Sequence, residues 1–192
     1  APVLGQPSAD VCVIDMETRN LDPQHAYGQT FVHTQRLKLD RGYLAYLKMD
    51  STWQGNVGYE LRAIHDNRIV DLAIVAPAFP KMGRSVFNGQ LLIRGKSDSQ
   101  LLQEKLRHQG IERLSHITTR QLEMTVEELL ESIIDLHTQG INTITCDATS
   151  DEELSTIALL IEKLTTIYGL SVLPVGSAGL AEHISGNQSD SD

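Results

Sequence analysis

Residues 141–175, INTITCDATSDEELSTIALLIEKLTTIYGLSVLPV, decide the fold class. Residues 141–146 and 170–175 are short apolar runs rich in β-branched side chains, which predict two buried strands. Between them, apolar side chains recur at helical spacing over residues 151–168, which predicts an amphipathic helix. A strand, a helix and a second strand in this order are typical of an α/β fold with a parallel sheet.

The rest of the chain repeats this alternation. Four more apolar runs predict strands at residues 11–14, 43–47, 72–75 and 91–93. Apolar spacing and helix-start residues predict helices over residues 25–37, 56–64, 99–108, 125–139 and 178–184. The fourth of these helices begins with a Thr125–Glu128 capping box. We therefore predict an α/β, layered Rossmann-like fold whose mostly parallel sheet is flanked by helices.

The composition indicates one folded domain of ordinary size. The chain has 192 residues, of which 41% are hydrophobic and 21% charged, and these values are typical of a globular protein. We assign residues 1–184 to a single domain. Residues 185–192 are small, polar and acidic, and we expect them to form a disordered tail or the stub of a linker.

The charge and hydropathy patterns argue against two classes of partner. Sixteen basic and 25 acidic residues give a net charge of −9, which opposes nucleic-acid binding driven by a basic face. No apolar run approaches the ~20 residues of a membrane helix, and the first ten residues lack the pattern of a signal peptide. We therefore expect a soluble, cytoplasmic domain with neither a nucleic-acid nor a membrane partner.

The cysteines and histidines do not predict a metal site. Cys12 and Cys146 each lie in a predicted strand without metal-ligand spacing, so we expect two buried free thiols in preference to a disulfide. None of the seven histidines pairs with another at a zinc-like spacing. His116 lies in a polar stretch, where it either lines a pocket or, more simply, is a hydrogen-bonded surface residue.

Polar loops follow several of the predicted strands, and parallel sheets bind ligands beyond the carboxyl ends of their strands. Residues 48–56, KMDSTWQGN, contain a cation, a carboxylate, hydroxyls and amides just before a predicted helix. This set can hydrogen-bond a polyol and neutralise an acid group. An equally good interpretation is that Asp50, Ser51 or Thr52 caps the helix while Lys48 is solvated.

Three further loops are candidates. Residues 76–84, APAFPKMGR, form a stiff two-proline loop whose Arg84 can bind a carboxylate or phosphate, or pair with a surface acid. Residues 15–19 are a polar segment of the same kind, but their sequence is less specific for a binding site. Residues 176–179, GSAG, resemble a phosphate-cradling turn but lack the full nucleotide fingerprints. Close packing of small residues between a strand and a helix is the simpler explanation for GSAG.

In order along the chain, these motifs resemble those of the four-carbon acid sugar kinase family, ATP-dependent enzymes that phosphorylate sugar acids such as threonate and erythronate. KMDSTWQGN is similar to the family's K-[KIM]-D-S-T-x-R-G-N element, and PAFPKMGR is similar to P-A-F-P-x-x-G-R. GSAGLA at residues 176–181 is identical to a third element. DMETR at residues 15–19 and DATSDEEL at residues 147–154 resemble two more, so the likeness extends over nearly the whole chain.

The resemblance implies that this chain corresponds to the family's N-terminal domain, which binds the sugar acid, while a separate C-terminal domain binds ATP. It implies Lys48 and Asp50 as catalytic candidates, with Lys48 supplying positive charge near the transferred phosphoryl group and Asp50 orienting the attacking hydroxyl. The implied substrate-binding residues are Asp15, Arg19, Ser51, Thr52, Asn56, Phe79 and Arg84, and the implied cofactor-binding residues are Gly176 and Ser177. ATP and Mg²⁺ are implied for the full-length enzyme, with neither held tightly by this chain.

Three departures from the family pattern bear on activity. The family's opening A-D-D-x-T-G-A loop is absent, Gln54 stands where the family has the arginine of R-G-N, and nothing like the nucleotide-binding domain follows Ala181. Loss of one guanidinium contact costs ~1.5–3 kcal/mol, or about one to two decades in affinity. The resemblance therefore implies a substrate-binding half that needs a nucleotide-binding domain or partner chain for turnover. The alternative is a non-catalytic member that acts as a binding or regulatory module.

Overall fold

The computed structural model of the protein describes residues 12–35, 37 and 44–186, and places helices and strands as follows. The helices are α1 (Pro23–Gln35), α2 (Val57–Asp66), α3 (Leu102–His108), α4 (Thr119–Leu122), α5 (Val126–Thr138), α6 (Asp151–Thr166) and α7 (Ala178–Gly186), with one 3₁₀ turn, η1 (Pro80–Met82). The strands are β1 (Leu47–Lys48), β2 (Leu72–Ala76), β3 (Arg84–Phe87), β4 (Gln90–Ile93), β5 (Lys96–Leu101), β6 (Leu114–Ile117), β7 (Thr143–Cys146) and β8 (Val172–Gly176). Within these ranges, none of the helices has the length and apolar character needed to cross a membrane.

A five-stranded sheet forms the centre of the fold. Its strand order is β1-β8-β2-β7-β6, and every neighbouring pair is parallel. β2, β7 and β8 are buried along their whole length, as expected for parallel strands that are covered on both faces. The predicted α/β fold with a parallel sheet flanked by helices is therefore confirmed.

The helices follow the predicted apolar spacing. Those predicted over residues 25–37, 56–64, 125–139, 151–168 and 178–184 are present, with ends that differ by no more than two residues. The predicted capping box is also confirmed, because the Thr125 hydroxyl accepts the Glu128 N–H while the Glu128 carboxylate accepts the Thr125 N–H. α6 packs on the sheet through a buried face that includes Leu154, Ile157 and Ile161.

A second, three-stranded antiparallel sheet follows β2 and was not predicted. It consists of β3, β4 and β5, which are joined by two-residue turns at Asn88-Gly89 and Arg94-Gly95. All four turn residues have φ between 49° and 75°, the left-handed conformation that type I′ hairpin turns require. The strand predicted at residues 91–93 exists but belongs to this second sheet. The helix predicted from residue 99 begins only at Leu102, because the residues before it pair with β4 as β5.

The strand predicted at residues 11–14 is wrong over its described part. Residues 12–14 are irregular, Val13 is 86% exposed, and Cys12 is exposed instead of buried, although it is a free thiol as expected. No strand in the described part of the chain pairs with this run, and an apolar run without a partner strand gains no backbone hydrogen bonds from an extended conformation. Val11 lies outside the described residues.

Three other boundaries differ from the sequence prediction. Of the strand predicted at residues 43–47, only Leu47 is in β1, and Tyr43 lies outside the described residues. β6 was not predicted because two polar residues, Ser115 and His116, lie between its buried Leu114 and Ile117. The predicted tail at residues 185–192 begins too early, since α7 continues to Gly186. Residues 187–192 lie outside the described residues.

Candidate active site

The loops after β1, β8 and β2 leave the parallel sheet at one edge. Lys48 at the end of β1 is in register with Gly176 at the end of β8, and Gly176 is in register with Ala76 at the end of β2. The Met49 N–H then donates to the Gly176 carbonyl at 2.8 Å. Three of the polar loops singled out in the sequence therefore start side by side at the carboxyl edge, where parallel sheets bind ligands.

Arg19 joins two residues of the loop after β1. One of its terminal nitrogens, Nη2, donates to Asp50 Oδ2 at 3.1 Å and to Gln54 Oε1 at 2.6 Å. The Arg19 side chain is still 55% exposed. Because a guanidinium has five N–H groups in a fixed plane, Arg19 is anchored through Nη2 while its other donors can bind a ligand.

Asp50 is held by its own loop. Its Oδ1 accepts both the N–H and the hydroxyl of Thr52, so the ion pair with Arg19 occupies the remaining oxygen. Burial opposes ionisation of Asp50, but the hydrogen bonds from Thr52 and the positive charges of Arg19 and Lys48 outweigh burial and lower its pKa. A carboxylate that is already paired and has a lowered pKa is a poor proton acceptor. This geometry favours Asp50 as the residue that fixes Arg19 and Thr52.

Lys48 and Ser51 are in the same loop. The Lys48 ammonium donates to the Met49 carbonyl at 2.9 Å and is close enough to Asp50 to act on its ionisation. Ser51 is half-buried. The structure therefore brings Lys48, Asp50, Thr52 and Arg19 into one group, to which the sequence prediction assigned both catalytic and substrate-binding roles.

Asn56 supports this group from behind. Its side-chain amide donates to the carbonyls of Thr18 and Leu21 at 2.8 and 2.9 Å, and it is buried at the start of α2. The Thr18 hydroxyl in turn donates to Glu60 at 2.5 Å. Thr18 was part of the motif at residues 15–19 but was given no role of its own, and Glu60 was not predicted. The available signal was that Glu60 falls on the apolar face of α2, between Val57 and Ile64.

Glu60 is a buried carboxylate with one side-chain hydrogen bond. Burial raises its pKa, and the hydrogen bond from Thr18 acts in the opposite direction. Asp15, at the start of the same segment, is exposed and accepts the Glu17 N–H at 2.9 Å. Asp15 therefore stabilises the local turn that leads into Thr18 and Arg19.

Phe79 and Arg84 delimit the loop after β2. Their backbones exchange two hydrogen bonds, at 2.8 and 3.1 Å, across the 3₁₀ turn. Gly83 ends that turn with φ +69°, a left-handed conformation that favours glycine. The Arg84 guanidinium donates to the Met82 carbonyl, and in the described part of the chain it has no bond to Arg19, Asp50 or Gln54. Arg84 thus lies on a neighbouring loop of the same edge, separate from the Arg19 group.

The GSAG turn is filled by protein atoms. The Tyr46 hydroxyl donates to the Ser177 carbonyl, and the Ser177 hydroxyl donates to the Ala78 carbonyl at 2.8 Å while accepting the Gly179 N–H. A Cβ added at Gly176 would lie 2.7 Å from the Tyr46 hydroxyl. Gly176 and Ser177 therefore pack β8 and α7 against the loop after β2, which is the simpler of the two roles considered for this turn.

The same packing makes Gly179 intolerant of a side chain. A Cβ at Gly179 would lie 2.5 Å from the Ala78 carbonyl oxygen and 3.0 Å from the Phe79 Cα, both of which are backbone atoms. We therefore expect Gly179→Ala to lower the free energy of unfolding by about 1–3 kcal/mol, the usual cost of overpacking. Gly28→Ala is the matched control, because Gly28 is also helical and has nothing within 4 Å of its Cβ position.

The control variant is expected to gain stability. Alanine is favoured over glycine in helices by about 0.5–1 kcal/mol, so Gly28→Ala and Gly179→Ala should move the midpoint of urea unfolding in opposite directions. Equal midpoints for the two variants would contradict the packing role of Gly179.

Asp147 and His116 form a second polar cluster, which was not predicted from the sequence. Asp147 follows β7, is fully buried, and accepts the N–H groups of Asn88, Gly89 and Thr119. His116 Nε2 lies 3.1 Å from Asp147 Oδ1. The carboxylate thus attaches the β3–β4 turn to the carboxyl edge of the main sheet. His116 is hydrogen-bonded, as the simpler of its two interpretations expected, since its Nδ1 lies 2.8 Å from Thr145 Oγ1. It is not on the surface, because its side chain is 12% exposed.

In the ranges that the structure describes, no group of three or more His, Cys, Asp or Glu side chains is arranged to hold a metal ion. Two cations at the carboxyl edge, Arg19 and Lys48, are instead held by hydrogen bonds, Arg19 beside the Asp50 carboxylate. Guanidinium and ammonium groups in this setting bind carboxylate or phosphate oxygens. The site is therefore suited to a small anionic ligand with hydroxyl groups.

A Rossmann-like parallel sheet with polar loops at its carboxyl edge places the chain among α/β domains whose candidate ligand site lies at that edge. Comparison with known proteins narrows the class. The chain belongs to the family described as the sugar-binding N-terminal domain, whose profile matches residues 2–184.

Similar curated proteins are sugar-acid kinases. The D-threonate kinase of Cupriavidus necator is 29% identical over 185 residues, which are 90% of this chain and 43% of that kinase. The 3-oxo-tetronate kinase of Pseudomonas savastanoi is 27% identical, over 89% of this chain and 44% of that kinase. This chain therefore spans less than half the length of the curated relatives it matches.

Two solved structures share the fold. A Haemophilus influenzae protein superposes with a TM-score of 0.75 at 21% identity, over 89% of this chain and 44% of its own. A Bordetella bronchiseptica protein, solved as a domain-swapped dimer with bound citrate, superposes with a TM-score of 0.71 at 23% identity, over 88% of this chain and 42% of its own. At this level of identity the likeness supports the fold alone.

Proposed function

We propose that this chain is the sugar-acid-binding part of an ATP-dependent four-carbon acid sugar kinase, with substrates of the threonate or erythronate type. Its family membership and the kinase activity named for its curated relatives support this proposal. The Bordetella relative was solved with citrate, which is likewise a hydroxylated carboxylate. We place the proposed reaction in the cytoplasm.

The observation that carries the proposal is the anchored guanidinium of Arg19. Asp50 and Gln54 fix it at the carboxyl edge while more than half of the side chain stays exposed beside Lys48. A guanidinium that is already ordered loses little side-chain entropy when it binds a carboxylate. Arg19 and Lys48 are therefore assigned to the acid group of the substrate.

The remaining polar residues are assigned to its hydroxyl groups. Ser51 and Thr52 are in the same loop as Lys48, and Asp15 lies four residues before Arg19. Asn56 acts mainly by supporting Thr18, because both of its N–H donors are used by backbone carbonyls. On the neighbouring loop, Phe79 and Arg84 are assigned to the far end of the ligand.

Nucleotide and Mg²⁺ binding belong, in this proposal, to another part of the enzyme. In support, the Ser177 hydroxyl and carbonyl of the GSAG turn already bond to Ala78, Gly179 and Tyr46. We therefore assign ATP and Mg²⁺ binding to a C-terminal domain or a partner chain, and we expect no ATP hydrolysis by this chain alone with Mg·ATP and a sugar acid.

Ligand binding is tested by thermal shift and calorimetry with threonate, erythronate and their 2-keto analogues. A ligand at ~100 times its dissociation constant adds roughly 2.7 kcal/mol of stability, or about 5–11 °C in Tm for a domain of this size. We expect such a shift with one of these acids, with or without Mg·ATP. Lys48→Ala and Arg84→Ala should each weaken binding at least tenfold by calorimetry, since each removes a charge-assisted hydrogen bond.

Two outcomes would overturn the proposal. Unchanged affinity in both variants would refute the assigned site. Binding of none of the acids by the parent chain would favour a non-catalytic binding or regulatory module, and recovery of a nucleotide-binding partner chain in a pulldown would count against that alternative. ADP release by the chain alone would refute the assignment of ATP binding to another domain or chain.

A further inference from the structure

Three buried polar side chains lie behind the candidate site. Thr18, Asn56 and Glu60 are each less than 9% exposed, although the residue that they adjoin, Arg19, is exposed. Burial of a carboxylate costs free energy unless hydrogen bonds compensate for it. Glu60 has one such bond, from the Thr18 hydroxyl at 2.5 Å. The effect of the Thr18–Glu60 bond on the site therefore depends on the other contacts of Thr18.

Thr18 is attached to the start of α2 at two points. Its hydroxyl donates to Glu60, and its carbonyl accepts the Asn56 amide at 2.8 Å. The same amide binds the Leu21 carbonyl, three residues further along. The backbone of residues 18–21 is thus fixed on both sides of Arg19.

Arg19 also packs closely on a glycine. Gly55 has φ +102°, and a Cβ there would lie 3.5–3.7 Å from the Cγ, Cα and O atoms of Arg19. The Arg19 backbone therefore lies directly over the Gly55-Asn56 turn. With its backbone fixed in this way, the Arg19 side chain reaches both Asp50 and Gln54. Without the Thr18 hydroxyl, the backbone of this segment would be held only by the two Asn56 bonds and the contact with Gly55. The guanidinium would then depend more on its two exposed contacts, and exposed ion pairs contribute little.

We propose that Glu60, acting through the Thr18 hydroxyl, is the positioning residue that holds the Arg19 guanidinium at Asp50 and Gln54 in the free protein. The effect of this positioning on ligand affinity rests on the proposed function. Loss of this contact is expected to release the side chain of Arg19, so that ordering it becomes a cost of binding the sugar acid. Glu60 is buried and is not assigned to the ligand.

The first measurement uses the free chain. The order parameter of the Arg19 Nε–Hε group, from ¹⁵N relaxation, is compared in the parent, Thr18→Val, Thr18→Ser and Glu60→Gln. We expect a clear fall in Thr18→Val, which keeps the side-chain shape but removes the donor, and rescue in Thr18→Ser, which restores the hydroxyl. Glu60→Gln keeps an acceptor oxygen and should lie between them. Thr30→Val is the matched control, because the Thr30 hydroxyl is buried on α1 with no hydrogen-bond partner in the described residues.

The second measurement is the affinity for threonate and erythronate by calorimetry. Thr18→Val is expected to weaken binding about five- to tenfold. The double variant Thr18→Val with Glu60→Gln should bind no more weakly than Thr18→Val, because residues in one hydrogen-bonded pair act non-additively. Thr30→Val should bind as the parent does.

The outcomes separate this proposal from the proposed function. An Arg19 order parameter that is the same in Thr18→Val and the parent overturns the positioning role, whether or not a sugar acid binds. The role is also overturned if the effects of Thr18→Val and Glu60→Gln on affinity are fully additive. Absence of binding by every variant, with Arg19 still ordered by Thr18, overturns the proposed function and leaves the positioning role supported. If Thr18→Val does not fold, Glu60→Gln and Thr18→Ser decide by the same criterion: equal order parameters in Glu60→Gln and the parent count against the role.

Discussion

Asp147→Ala is expected to lower the free energy of unfolding by about 3–5 kcal/mol. The Asp147 carboxylate is fully buried and accepts backbone N–H groups from Asn88, Gly89 and Thr119 at 2.8–3.1 Å. Each buried donor that loses its acceptor costs ~1–3 kcal/mol. Urea denaturation of the variant and the parent measures the difference.

Two further variants test whether the loss of stability comes from the buried acceptor oxygens of Asp147. Asp135→Ala removes an exposed carboxylate on α5 and should change stability by less than ~0.5 kcal/mol. Asp147→Asn keeps one acceptor oxygen but turns an NH₂ group toward N–H donors, so we expect it to be destabilised nearly as much as the alanine variant. A loss below ~1 kcal/mol in Asp147→Ala would show that the carboxylate does not hold the β3–β4 turn.

Acid titration provides a second check on the same carboxylate. Burial raises the pKa of Asp147, but the contact with His116 and the N–H donors of Gly89 and Thr119 outweigh burial and lower it from 3.8. A carboxyl group whose pKa is lower in the folded state adds stability that is complete above its unfolded pKa, near pH 3.8, and is lost as the pH falls through the lower folded value. The parent should therefore lose this contribution in that acidic window, and the difference in stability from Asp147→Ala should narrow there.

The central sheet was predictable because its strands are buried and short. β2, β7 and β8 each correspond to one apolar run between polar or turn residues, and α5 and α6 carry clear helical spacing and capping boxes. The antiparallel sheet was missed although the sequence contains its signal. Asn88-Gly89 is a typical type I′ turn between two short runs, and Arg94-Gly95 repeats that geometry in the structure.

The location of the candidate site was also predictable, but its internal contacts were not. Loops that follow strands of a parallel sheet leave it at one edge, so the loops after β1, β2 and β8 were expected at the same edge. Their closeness results from the order β1-β8-β2, which the sequence did not predict. The bonds from Arg19 to Gln54 and from Thr18 to Glu60 connect residues 35 and 42 positions apart. Nothing in the spacing of one sequence specifies which side chains meet across such distances.

Gln54 illustrates this limit. From the sequence alone, a glutamine at a position where the family has an arginine indicates that the site has lost a cation. In the structure its amide oxygen accepts a bond from Arg19 at 2.6 Å and so keeps a guanidinium at this point of the site. A second arginine here would place two positive charges together without this acceptor. The cost estimated from the sequence alone therefore does not apply in full, because Gln54 and Arg19 act as a pair.

Arg19→Ala is expected to weaken sugar-acid binding by about 10- to 100-fold, the largest effect on function that we predict. A charge-assisted hydrogen bond contributes ~1.5–3 kcal/mol, or one to two decades in affinity. The variant also removes the ion-pair partner of Asp50 and leaves only Lys48 to offset its negative charge, which the incoming carboxylate then meets. Calorimetry with threonate and erythronate measures the loss. Tm should change little, because the exposed Arg19–Asp50 pair adds at most ~1 kcal/mol to stability.

Three further variants separate the possible causes of this loss. Arg19→Lys keeps the charge without the planar fork and should recover part of the affinity. Asp50→Asn added to Arg19→Ala removes the unpaired negative charge, and a partial recovery of binding would identify repulsion as part of the loss. Arg113→Ala removes an exposed arginine just before β6, at the opposite edge of the sheet, and should bind as the parent does. If Arg19→Ala also binds as the parent does, the anion is bound elsewhere on the carboxyl edge, and Arg84 on the neighbouring loop becomes the guanidinium to test.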